Sequence, residues 1–143
     1  MLRRALVGVE TGLFLVIAWV LVFWCPLRWA RRLFGPPSGR KPATVGPQAL
    51  ARARGVAWRV KVTADRLPWA SSCLVRAVAG CLLLERRGIR GGVIRFGVSK
   101  VDGRLTAHAW LLLGGDVLLG ADGADTYTPV ADFGRSDGGA AAV

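Results

Sequence analysis

The stretch Thr11 to Leu27, TGLFLVIAWVLVFWCPL, carries no charge and is bracketed by Arg3 and Arg4 on one side and by Arg28, Arg31 and Arg32 on the other. A run of 17 residues sits at the lower limit for a helix that crosses a bilayer core. It can be accommodated in three ways: as a short membrane helix, as a helix lying in the membrane plane with its arginines snorkelling, or as a hydrophobic helix docked on a partner. No small-residue cleavage site follows it, and Pro26 and basic residues come next, so a cleaved signal peptide is not expected. If the run spans, the larger basic cluster on its C-terminal side puts the main domain in the cytoplasm. The expected localisation is therefore cytoplasmic, with residues 5–27 as the segment that could hold the protein to the inner face of the membrane.

Beyond this segment, taken as residues 1–34, four prolines (Pro36, Pro37, Pro42, Pro47) and several glycines mark 35–47 as a linker. With 143 residues in all, what remains suits one core at residues 48–133. The tail 134–143, GRSDGGAAAV, has too little apolar bulk to pack and is expected to be disordered.

Charge is distributed unevenly. Residues 1–100 hold eighteen Lys and Arg against Glu10, Asp65 and Glu85, whereas residues 101–143 hold two cations against six aspartates. Seventeen of the twenty cations are Arg, which favours planar, bidentate anion contacts. No aromatic-interleaved RNA motif, helix-turn-helix signature or basic zipper accompanies them, so nucleic acid is not an expected partner. Three cysteines, Cys25, Cys73 and Cys81, fit no disulfide or zinc spacing and point to a reducing compartment. One histidine and dispersed aspartates make no metal site, and neither a metal nor a cofactor is expected.

The core reads as helices followed by strands. From Pro47, which can open a helix, Leu50, Ala53, Ala57, Val60, Ala64 and Leu67 recur at three- and four-residue spacing, with Arg52, Arg54, Arg59, Lys61 and Arg66 off that stripe. Pro68 ends this helix, Ser71 or Ser72 can cap the next, and Leu74, Ala77, Val78, Cys81 and Leu82 form its apolar stripe before Gly88 stops it. Then Gly92 to Ser99 alternates loosely, Asp102-Gly103 signals a hairpin, Leu105 to Leu113 makes a second strand, and Gly114-Gly115 turns into Val117 to Leu119. This order predicts an α+β domain, helices followed by an antiparallel sheet.

One constellation could do chemistry. A cysteine on the first helical turn faces unpaired backbone N–H groups and the positive end of the helix dipole, which stabilise a thiolate and can also bind a developing oxyanion. Cys73 has that position; Cys81, on the apolar stripe, and Cys25, in the hydrophobic run, are expected to be inert. His108 shares one strand face with Thr106, Trp110 and Leu112. With Cys73 it could form a nucleophile and base pair, although a lone strand histidine can equally be a half-buried structural side chain. A carboxylate from the next strand would orient the imidazole. Asp116 lies in a tight turn and should face water, which leaves Asp122, with Asp125 as the less convenient alternative.

Four motifs occur in order: P-W-x-x-x-C-L-x-R-A (Pro68, Trp69, Cys73, Leu74, Arg76, Ala77), L-x-R-R-G-I (Leu84 to Ile89), F-G-V (Phe96 to Val98) and A-H-A-W (Ala107 to Trp110). Together they resemble the lasso-peptide leader peptidases, transglutaminase-like cysteine proteases, over about residues 48–133 and including Tyr127 and Phe133. The resemblance implies a transglutaminase-like or papain-like core with Cys73 as nucleophile, His108 as general base and acid, and a carboxylate as third member. The activity implied is cutting the leader from a ribosomally made precursor ahead of macrolactam closure. The implied partners are the precursor peptide, a separate leader-recognition protein and an asparagine-synthetase-like cyclase, because the length matches the split form of these enzymes. One departure stands out. The family's carboxylate commonly falls about twelve residues after the histidine, where this chain has Gly120, so Asp122 fits only with a shift in alignment. Two other readings compete: a non-catalytic adaptor that binds an acidic peptide through its basic helix, and an acyl transferase using the same residues.

Overall fold

The structure is a computed structural model and describes residues 1–24, 44–67 and 72–134. Cys25, Pro68, Trp69, Ser71, most of the linker and nearly all of the tail lie outside the described residues. Among the described residues, three helices, α1 (Leu2–Trp24), α2 (Pro47–Asp65) and α3 (Cys73–Arg86), precede strands β1 (Gly92–Val101), β2 (Arg104–Leu113), β3 (Asp116–Leu119) and β4 (Thr128–Gly134). The sheet is antiparallel in the order β3-β2-β1-β4.

Local chemistry accounts for most boundaries. Pro47 opens α2 without wasting an N–H that the helix could have used. Gly88 ends α3 at φ 73°, a conformation that costs glycine little. Asp102 and Gly103, at φ 50° and 76°, make the tight β1–β2 turn expected of an Asp-Gly pair.

Packing departs from the expected pattern in α3. Only one apolar stripe is expected there, yet Val75, Ala77, Val78, Ala79, Gly80, Cys81, Leu83 and Leu84 are all buried, while Leu74 and Leu82 are half-buried. The reason is position: α3 is the central helix, covered by α1 and α2 on one side and by β1 and β2 on the other. A helix surrounded in this way is apolar all round. The α2 stripe is nearer expectation, with Ala53, Ala57, Val60 and Ala64 buried and Val56 added to them.

α1 is long and apolar enough to cross a membrane, but one face of it packs on the domain. Leu15 and Ala18 enter the common core, and Thr11 is buried with its hydroxyl donating to the Val7 carbonyl at 2.8 Å. Glu10 accepts hydrogen bonds from Arg86 Nε at 2.6 Å and Arg87 Nη2 at 3.0 Å, which fastens α1 to the end of α3. The two guanidinium groups hold the Glu10 carboxyl below its ordinary range.

Candidate active site

α3 begins at Cys73, with Ser72 as its N-cap in an extended conformation and no side-chain capping bond. Among the described residues, no side chain caps the first N–H groups of α3. Cys73 itself is a half-buried free thiol. One turn on, Arg76 Nη1 donates to Asp65 Oδ1 at 2.7 Å, and Lys61 Nζ reaches Asp65 Oδ2 at 3.4 Å. These bonds tie the end of α2 to the first turn of α3, and the Arg76 guanidinium, with Lys61, holds the Asp65 carboxyl below its usual range. Arg76 thus fixes the helix end that presents Cys73.

α3 crosses the sheet in a definite direction. Its Gly80 lies against Leu111 and Leu119, so closely that a Cβ there would come within 2.8 Å of Leu111 Cδ2. Cys81 and Leu84 lie against Gly92, the register partner of Leu113. Moving toward the start of α3 therefore moves from Leu113 toward Ala109, which directs Cys73 to the His108 end of β2. Strand alternation then divides the two candidates. Ala109, Leu111 and Leu113 face the core beneath α3, whereas His108, Trp110 and Leu112 occupy the other face. His108 thus lies on the sheet face away from α3, and among the described residues no hydrogen bond joins it to Cys73.

His108 is tightly held. Its Nε2 lies 2.9 Å from the Gly120 carbonyl oxygen. A carbonyl can only accept, so Nε2 carries the proton and Nδ1 is left as the basic nitrogen. The ring stacks on Trp110 with centroids 5.6 Å apart and meets the Tyr127 ring at 5.2 Å. Gly97, directly across from His108 on β1, makes this stack fit: a Cβ there would come within 2.6 Å of the Trp110 ring and 2.9 Å of Tyr127 Cβ. Glycine inside a strand pattern signals this kind of close approach, and Phe96-Gly97-Val98 carried that signal.

Neither candidate carboxylate reaches the imidazole. Asp122 and Asp125 are exposed and make no hydrogen bond to His108, and Asp116 is exposed at the start of β3, as its turn position predicts. The register of Leu111 with Leu119 would bring Asp122 opposite His108 if the ladder continued, but Gly120 at φ 79° turns the chain out of it. A Cβ at Gly120 would stand 3.2 Å from His108 Nε2. Position 120 is thus where a side chain would meet the imidazole, and the glycine offers its carbonyl there instead.

On the same face, Arg95 makes a two-pronged bond to Asp132, Nε to Oδ1 at 2.7 Å and Nη2 to Oδ2 at 2.9 Å. The pair joins β1 to β4, and the carboxylate raises the affinity of Arg95 for its proton. Sequence reasoning missed this link because it left β4 unassigned.

A cysteine-opened central helix followed by an antiparallel sheet that carries a firmly held histidine is an α+β arrangement. Residues 17–132 match the transglutaminase-like superfamily, and the chain belongs to it, a superfamily that includes cysteine peptidases and acyltransferases. No curated protein and no solved structure gives a significant match.

Proposed function

We propose that the protein is a cysteine peptidase that removes the leader from a ribosomally synthesised lasso-peptide precursor, working with a leader-recognition protein and ahead of a macrolactam-forming cyclase. The observation that supports the catalytic part is the bond from His108 Nε2 to the Gly120 carbonyl, at 2.9 Å, which leaves Nδ1 as the ring nitrogen able to take a proton. The motif resemblance around Cys73 and Ala107 to Trp110 supports the substrate class.

In this reading the thiol and the imidazole meet only in the substrate complex, and the meeting requires the His108 side chain, which lies on the sheet face away from α3, to move toward Cys73. His108 Nδ1 takes the Cys73 proton, and the thiolate sulfur adds to the scissile carbonyl carbon while the first N–H groups of α3 hold the oxyanion. The C–N bond breaks, the imidazolium returns the proton to the departing amine, and the core peptide leaves with a free N-terminus. Water, deprotonated by His108, then adds to the thioester; the C–S bond breaks and the leader leaves as a carboxylic acid. The Gly120 carbonyl replaces the family's carboxylate as the group that orients the ring.

The test uses cleavage of the precursor in the presence of the leader-recognition protein. Cys73→Ala and His108→Ala should lose activity by at least about two orders of magnitude, and Cys81→Ala should keep it. Full activity in either of the first two variants sinks the proposal and favours a non-catalytic adaptor. A product mass showing an amine in place of the leader's carboxylic oxygen would instead assign acyl transfer.

A further inference from the structure

Between the first half of α1 and the second half of α2 lies an open groove of about 940 Å³ lined by Arg3, Arg4, Arg59, Arg66 and Arg87, with Trp58 at its wall. Arg87 is engaged by Glu10, whereas Arg3, Arg4, Arg59 and Arg66 form no ion pair among the described residues. Four guanidinium groups gathered around one groove without acidic partners repel one another, and an anion relieves that repulsion. Trp58 is 65% exposed, unusual for so large an apolar ring unless it has another medium to enter.

A second feature lies on the other side of α1. α1 turns Thr11, Leu15 and Ala18 inward, and its opposite face exposes Leu6, Val9, Leu13, Val16, Val20 and Phe23 at helical spacing. That face is an apolar stripe along the length of the helix. To span a bilayer, α1 would have to withdraw Leu15 and Ala18 from the core and break the bonds from Glu10 to Arg86 and Arg87. Lying in the membrane plane costs neither, and it puts the apolar stripe at the acyl boundary with the arginine groove among the headgroups.

We propose that this groove binds the phosphate of an anionic phospholipid and that the outward face of α1 lies in the same membrane surface. Charge complementarity, together with an apolar stripe along the same helix, favours a membrane over an acidic peptide, which would need the arginines but not the stripe. Each arginine near an anionic surface is worth roughly a five-fold change in partitioning.

The experiment is co-sedimentation of the full-length protein with vesicles of phosphatidylglycerol mixed with phosphatidylcholine, and with vesicles of phosphatidylcholine alone. The mixed vesicles should bind, and high salt should release the protein. Arg59→Gln with Arg66→Gln should weaken binding by roughly 25-fold, Arg59→Lys with Arg66→Lys should largely keep it, and Leu6→Gln with Leu13→Gln should abolish it. The lysine pair and the salt dependence of the unaltered protein keep the test decisive should a neutral variant fold poorly. Equal binding to both vesicles, unchanged binding in the Gln pair, or retention through high salt and alkaline extraction would overturn the proposal, the last in favour of a spanning helix. Polyglutamate bound through the same arginines, with no vesicle binding, would overturn it in favour of an acidic peptide.

Discussion

Gly120 stands where a side chain would meet the His108 imidazole, and its backbone carbonyl meets the ring instead. A backbone carbonyl fixes the His108 tautomer as a carboxylate would, but it is neutral and stabilises an imidazolium less. Because Asp122 and Asp125 are exposed and unbonded to the ring, Asp122→Asn and Asp125→Asn should each leave the proposed cleavage activity within about three-fold, in line with surface substitutions. A hundred-fold loss in Asp122→Asn would show that its carboxylate moves in during catalysis. Gly120→Ala places a Cβ at φ 79° and 3.0 Å from the Ala109 oxygen and Trp110 Cβ. It should cost about 1–3 kcal/mol, read as a lower denaturation midpoint, and should lower kcat more than it raises KM. Gly97→Ala drives a methyl into Trp110 and Tyr127 and should likewise destabilise by about 1–3 kcal/mol. The sequence exposed Cys73 and His108 because helix starts and strand faces are local patterns. It hid the Gly120 contact because a carbonyl bonded across a turn leaves no residue-type signature.

Among the elements, the α2–α3 pair and the β1–β2 hairpin were readable because periodicity and an Asp-Gly turn are written into adjacent residues. β4 was not. Pro129 and the exposed Val130 blur its alternation, and its partner is β1 rather than the strand before it, so nothing in neighbouring residues announces the pairing. The ladder itself shows the irregularity, with a register shift at Phe96/Gly97. What holds β4 is the Arg95–Asp132 pair together with the edge-on contact of Phe96 and Phe133, whose ring centroids are 5.3 Å apart. Asp132→Asn keeps the shape but removes the charge that Arg95 faces in a half-buried site. It should lower stability by about 1–3 kcal/mol, and amide exchange should show β4 opening before β2. Since β4 follows directly on Tyr127, the same variant should loosen the ring packed on His108 and reduce cleavage without touching the thiol.

At the scale of the whole molecule, α3 is the shared wall between a helical layer and a sheet, and α1 is part of that layer rather than a separate appendage. Its attachment combines apolar contacts at Leu15 and Ala18 with one charged fastening, Glu10 to Arg86 and Arg87. The sequence showed the hydrophobic run but not its docking, because the acid that decides its orientation lies outside the uncharged stretch and its partners are 76 and 77 residues away. This fastening is pH-dependent with a definite sign. Arg86 and Arg87 hold the folded Glu10 carboxyl below its unfolded value of about 4.3. The contribution is therefore complete above that unfolded value and is lost as pH falls through the folded one. Proteolytic susceptibility of α1 should rise as pH is lowered below about 4.3, and Glu10→Gln should show raised susceptibility already at neutral pH with a flatter response to acid. Asp65 titrates in the same sense but joins α2 to α3, so acid loosening that persists in Glu10→Gln should map to the Arg76 end of α3 and leave α1 unaffected.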